Sequence, residues 1–183
     1  VQLPRKNSAT VVVDGAINSN ATLDPVVLPP VQMQVDPAGA PRVRVKPRKT
    51  LDLAPGTYGV LEAGHHSTLT LHSGTYYFER FVIQQQAQLI IQLANEGSLT
   101  VNIKKGLHFG HHTQVAIQGG DAAQVLFNIS GGGLVSPDVG AEEVQEELEA
   151  GEAEVPVAGR IGHDAQFAGT IYAPRGSVRL GKK

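Results

Sequence analysis

The chain has 183 residues, 41% of them hydrophobic, with 15 Lys and Arg against 17 Asp and Glu for a formal net charge of −2. That length suits a single domain burying roughly two thirds of its unfolded surface. The charge balance, with no recognisable binding motif, argues against a nucleic-acid partner; the lack of cysteine excludes a disulfide framework or thiolate metal site, and no apolar run approaches the ~20 residues of a membrane span.

In chain order, residues 1–41 read as an N-terminal strand and a Pro-rich arm. Within it ATVVVDG, Ala9 to Gly15, is an apolar strand able to pair with an edge of its own chain or of the next subunit, which makes Val11, Val12 and Val13 candidate assembly residues. The chain opens on Val1 rather than Met, as expected of a processed or excised product. RVRVKPRKTLDL then fits a first coil, with Val43 and Val45 inward and Arg42, Arg44 and Lys46 outward or at the corner.

LDLAPGTYG at Leu51 to Gly59 returns 18 positions later as LTLHSGTYY at Leu69 to Tyr77. A near repeat at so short a period marks units that bury their apolar faces only by stacking. A corner phrase also recurs, as GHHS from Gly64, QQQA from Gln84, GHHT from Gly110 and GHDA from Gly162, each followed by an alternating strand. Period-two alternation aligns Leu69, Leu89, Val115 and Phe167 in one inward column and Leu71, Ile91 and Ile117 in the next, with Thr68, Gln88, Gln114 and Gln166 outward.

Successive members of the first column are 20, 26 and 52 residues apart. The last gap is read as one coil with a long insertion, because the stretch at about 131–157 opens on glycines, turns acidic and lacks a strand pattern. AEEVQEELEA, Ala141 to Ala150, is the one helical candidate, with a weak apolar pair in Val144 and Leu148 that suits a surface position. Residues 42–183 are therefore expected to form an all-β, right-handed parallel β-helix, or β-solenoid, with coils of about 18–26 residues. The 21 glycines, five Phe and absence of Trp suit its narrow core.

The phrases LAPGTYGVLEAGHHSTLTLHSGTYYF and FAGTIYAPRGSVRLG carry a family resemblance. The chain resembles a bacterial cell-surface β-helix domain of unknown function, found in pilus-associated and surface-anchored proteins. The resemblance spans Leu51 to Gly181 apart from the acidic insertion. It implies a parallel β-helix at the cell surface and carries no catalytic residues.

Outward residues supply the candidate sites. His65, His66, His111, His112 and His163, with Asp164, lie in the corner phrases, where coils ~4.8 Å apart would make neighbours of His111 and His163 and of His112 and Asp164. Such a set suits Zn, Ni or Cu, although Gln85 and Gln86 interrupt it, and a plain ladder of polar side chains is the competing reading. Tyr58, Tyr76, Tyr77 and Tyr172 are candidate glycan platforms; for Tyr58 and Tyr76 packing is favoured. Acidic residues outside the insertion are dispersed, which argues against a polysaccharide-cleaving enzyme.

Seven of the 17 acidic residues lie between Glu142 and Glu154, so the rest of the chain is basic and Arg42 to Lys49 strongly so. An acidic loop and a basic strand suggest complementary contacts, within one chain or between neighbours, and a solvated loop that keeps the protein soluble is the competing reading. SVRLGKK runs directly off the last strand, adding Leu180 to Arg42, Arg44 and the three valines as assembly candidates. The expected function is an extracellular or cell-surface structural protein that self-assembles into a filament or an adhesive surface layer, without cofactor. The alternatives are a module binding surface glycan or metal and, behind these, an enzyme.

Overall fold

The computed structural model describes residues 29–94, 97–131 and 157–181. Val11 to Val13, the helical candidate at 141–150 and nearly all of the acidic stretch lie outside the described residues.

Among the described residues twelve strands follow in chain order: β1 (Val43–Val45), β2 (Thr50–Leu53), β3 (Gly56–Ala63), β4 (Thr68–His72), β5 (Gly74–Ile83), β6 (Gln88–Gln92), β7 (Leu99–Phe109), β8 (Gln114–Gln118), β9 (Val125–Ile129), β10 (Val157–Ile161), β11 (Thr170–Tyr172) and β12 (Ser177–Leu180). The fold is all-β, and its strand pairs are parallel. One sheet runs β1-β3-β5-β7-β10-β12, with β9 on the first half of β7 and β11 on β9; the other runs β2-β4-β6-β8. Through β8 the chain alternates between the sheets, so each circuit stacks on the one before.

The apolar columns sit where the period-two pattern puts them. Leu51, Leu69, Leu89 and Val115 are in register, as are Leu53, Leu71, Ile91 and Ile117. Leu69, Leu71, Leu89 and Ile91 are wholly buried between the sheets. Gln114 bridges Gln166, and β10 pairs with the second half of β7, so the 52-residue gap is crossed in one step of the stack. All five phenylalanines join a single run of ring contacts: Phe78 to Phe81 at 5.2 Å, Phe81 to Phe109 at 6.1 Å, and Phe109 to Phe127 at 6.3 Å and Phe167 at 5.4 Å.

The Gly-Thr-Tyr repeat does not stack upon itself. Gly56 lies opposite Tyr76 and Tyr58 opposite Phe78, a register of 20 rather than 18. Two residues, Ala54 and Pro55, link Leu53 to Gly56, whereas four, His72 to Thr75, link Leu71 to Tyr76. A slip of two preserves which side chains face inward.

At the corner before the second sheet, Arg48, His66, Gln86, His112 and Asp164 each adopt a left-handed conformation, with φ between 52° and 59°. Each is the third residue of a four-residue turn, and the hydrogen bonds Lys49 N–H to Lys46 O, Ser67 N–H to Gly64 O and Ala87 N–H to Gln84 O close three of these turns. A positive φ at that position defines a type II turn, and Pro47 occupies the second position that such turns favour. The inter-circuit ladder continues through the bend, because Arg48, Gln86 and His112 donate to the carbonyls of His65, His111 and His163.

Glycines open these turns where the backbones are in closest approach. A Cβ on Gly110 would stand 2.5 Å from the Gln85 nitrogen, and one on Gly162 2.7 Å from the His111 nitrogen. Replacing Gly162 with Ala therefore forces the circuits apart. It should cost about 1–3 kcal/mol, as core overpacking does, read as a lower denaturant midpoint at unchanged slope; an unchanged midpoint would refute the close contact.

Candidate functional site

The histidine corner assembles partly as expected. His111 and His163 stack with ring centroids 6.2 Å apart, and the Asp164 carboxylate lies 2.8 Å from His163 Nδ1 and 3.8 Å from His112 Nδ1. His111 Nδ1, however, accepts the backbone N–H of His163 at 3.2 Å, which directs that lone pair into the turn. His65 and His66 are exposed one circuit beyond Gln85 and Gln86 and do not join the group. Among the described residues no three His, Asp or Glu side chains converge on a metal-sized site. A shallow cleft of about 400 Å³ does run along this corner between His66, Gln86, Gln88, His112 and Gln114.

The four tyrosines divide into two roles. Tyr76 is fully buried, with its ring inside the core, and so offers no platform to a ligand. Its hydroxyl donates to Leu53 O at 2.8 Å and accepts the His72 N–H at 2.9 Å, tying two circuits at one corner. Burial pushes its pKa up to about 12. Tyr58 is half-buried, stacks on Phe78 at 5.5 Å and donates to Ala54 O, so it too holds a corner. In both cases the repeated Tyr bonds the residue four places before it.

Tyr77 and Tyr172 face outward, but the Pro-rich arm contacts both. The Tyr172 hydroxyl bonds Pro29 O, Ser130 Oγ meets Met33 Sδ, Tyr77 reaches Gln34 Oε1 at 3.5 Å, and Lys104 Nζ grips both Asp36 carboxylate oxygens at 2.8 and 2.9 Å. At the near end Pro41 O accepts the Gly59 N–H. The arm thus descends the outer face of the larger sheet, from the β11 level to β3. Under it lies an amide ladder, with Asn128 Nδ2 donating to Asn102 Oδ1 and Asn102 Nδ2 to Tyr76 O. The hydrogen bonds to Lys104 and Ala38 hold the Asp36 carboxyl below its ordinary value.

The charged assembly candidates have partners within their own chain. Arg42 Nη2 is 2.8 Å and Arg44 Nε 3.6 Å from the same Glu62 oxygen, and both arginines are largely exposed. Asp52 bonds His72 at 2.6 Å and Glu79 bonds Lys105 at 2.5 Å. Leu180, by contrast, is 71% exposed at the end of a core column that runs through Val45, Ala63, Ile83, Phe109 and Ile161. The offset of 26 that aligns Leu89 with Val115 would also have found the Asn102–Asn128 ladder. No comparable pattern announced the arm contacts.

Stacked parallel strands define an all-β protein in which, among the described residues, the candidate side chains outside the core lie on edges and outer faces. Residues 59–183 match the model of a domain of unknown function, DUF7305, and the chain belongs to that family. No curated protein and no solved structure matches it.

Two outcomes follow from the tyrosine corner and the arm. Because the folded pKa of Tyr76 is raised, its contribution is complete below its ordinary value of 10 and is lost as pH rises toward 12. Tyr76→Phe should remove that alkaline slope in pH-dependent unfolding, and should cost about 1–3 kcal/mol at neutral pH by leaving buried backbone groups unbonded. Asp36 has the opposite sign: its anchoring is present above pH 3.8 and is lost as pH falls through the lowered folded pKa. Asp36→Asn should increase proteolytic cleavage within residues 29–41 at neutral pH, and equal cleavage in both proteins would rule out an anchoring role for the Lys104 pair.

Proposed function

We propose that this chain is an extracellular structural element of a bacterial cell surface, built as a right-handed parallel β-helix, whose copies self-assemble through the outer edge of β12. The observation that carries the reading is the outer edge of β12. There the column through Ile161 closes on an exposed leucine, and β12 has a described partner, β10, on one side only. An edge that combines open backbone groups with apolar side chains is a template for another strand.

The chemistry of the outer faces is consistent with a structural role. The described carboxylates of Glu62, Glu79 and Asp36 each bond a cation, and Asp52 and Asp164 each bond a histidine. None of these pairs presents two carboxylates across a substrate-sized gap, as glycoside cleavage requires. The runner-up reading, a module that binds surface glycan, is favoured by the amide- and imidazole-lined cleft between His66 and His112.

Negative-stain electron microscopy and sedimentation across protein concentration and salt test the assembly reading. The wild type should form regular polymers at high concentration, and Leu180→Lys should suppress them without lowering the unfolding midpoint, since the side chain is exposed. Monodisperse wild-type particles at every concentration, with glycan retained by the cleft, would favour the runner-up.

A further inference from the structure

We infer that the corner before the second sheet is a binding groove for an uncharged, linear β-1,4-linked polysaccharide, held with its chain along the stack so that successive sugars meet successive circuits. The inference rests on the runner-up, glycan-binding reading, and it requires no second copy.

The groove has two walls in register. One is the row of left-handed turn residues Arg48, His66, Gln86, His112 and Asp164, all of them exposed. The other lies two residues later in each circuit, and backbone pairing stacks it as Thr50, Thr68, Gln88, Gln114 and Gln166. Ser67 and Ala87, each 1% exposed, form the floor between the walls. The cleft of about 400 Å³ occupies the middle three circuits of this trough, from His66 to His112.

The first wall is maintained against the preference of the backbone. Its residues hold the third position of their turns, where glycine fits without steric cost and another side chain is strained. Not one of these five corners uses glycine there, and each carries a side chain that hydrogen-bonds. Two of them, His66 and Gln86, bond no described residue.

The amides separate a binding wall from a structural ladder. Elsewhere on the stack they are satisfied within the chain: Gln92 Nε2 donates to Gln118 Oε1 at 3.4 Å, Asn128 Nδ2 to Asn102 Oδ1 at 3.1 Å and Gln84 Nε2 to Glu62 Oε1 at 3.0 Å. Gln88 and Gln114 are paired through their backbones in the same way, yet no described residue hydrogen-bonds their side chains, nor that of Thr68.

The lining selects the ligand. Amide, neutral imidazole and hydroxyl groups each both donate and accept, as sugar hydroxyls do. The cleft is lined by no carboxylate, lysine or arginine that would hold an ionic group. Its groups recur at the ~4.8 Å strand spacing, close to the advance per sugar of an extended β-1,4-linked chain; an extended peptide advances only ~3.3 Å per residue and falls out of step. No Phe, Tyr or Trp lines the cleft, so sugars are gripped by their hydroxyl edges and affinity accumulates along the chain. From Arg48 to Asp164 the five corners span about 19 Å, four strand spacings.

Isothermal titration of the full chain with β-1,4-linked oligomers of glucose and of N-acetylglucosamine, from two to six sugars, tests the inference, with polygalacturonate as the charged probe. Affinity for at least one neutral series should rise with length to about four sugars, the span of the groove, and then level. Gln86→Gly combined with Gln88→Ala should weaken that binding at least about tenfold, as for two lost hydrogen bonds. Gln86→Gly alone should weaken it without lowering the unfolding midpoint, because glycine relieves the left-handed strain. A lowered midpoint with affinity retained would make the corner structural and overturn the inference. Binding unmoved by these substitutions would also overturn it, while leaving a glycan site elsewhere on the chain. Tighter binding of polygalacturonate than of any neutral oligomer would overturn the uncharged ligand and keep the glycan reading; binding of no probe would sink both.

Discussion

The parallel backbone ladder between successive circuits governs nearly everything else in this molecule. Strands hydrogen-bonded at ~4.8 Å must carry side chains that accept the same spacing, column by column. Inward columns therefore hold aliphatic and aromatic residues, and where an outward column comes under the arm it holds amides that bond one another, as Asn102 and Asn128 do. The constraint is strictest at the corner before the second sheet. There the ladder continues through a bend, and every described circuit spends a left-handed residue to do so. Glycines at Gly64, Gly110 and Gly162 open three of those turns because the backbone of the preceding circuit occupies the space of a side chain. Ser67 and Thr113, buried beneath the bend, return their hydroxyls to the carbonyls of Gly64 and Gly110.

What the sequence disclosed follows from that constraint. Alternation shows in four or five residues, so the inward columns of β4, β6 and β8 were legible, as was the neighbourhood of His111 and His163. The left-handed corner was visible only as a recurring phrase, since Arg, His, Gln and Asp all occupy the same conformation there and no glycine marks it. The Gly-Thr-Tyr repeat misleads if read as a stacking register: a two-residue difference in corner length moves Tyr76 one inward position along, from beside Tyr58 to beside Gly56. A tyrosine whose hydroxyl closes a turn looks, in sequence, much like one that offers its ring to a ligand. Burial separated them, placing Tyr76 in the core and Tyr77 and Tyr172 on the surface beneath the arm. The arm contacts were illegible because they join residues 68, 97 and 143 positions apart through single polar groups with no periodicity.

The two kinds of contact differ in strength as well as in legibility. Circuits are joined by backbone ladders and by apolar columns whose middle members are wholly buried, so opening a middle circuit means exposing its whole core layer. The described arm is held by a few hydrogen bonds and one exposed ion pair, and such pairs contribute little in water. Segments of this kind open at a small fraction of the global unfolding free energy. The arm can therefore leave its face while the ladders and apolar columns between circuits stay intact.

That separation bears on how a stack of this kind avoids uncontrolled growth. Each circuit is a template for the next, and an apolar column ending on an exposed leucine invites continuation. Extension by a rigid second copy that paired its β1 on β12 would set Arg44 against Arg179, because Arg44, Glu62, Val82, His108, Arg160 and Arg179 form one column, and like charges directly opposed destabilise a strand pair. Growth therefore calls for a strand that is apolar, uncharged at the contact and free to move.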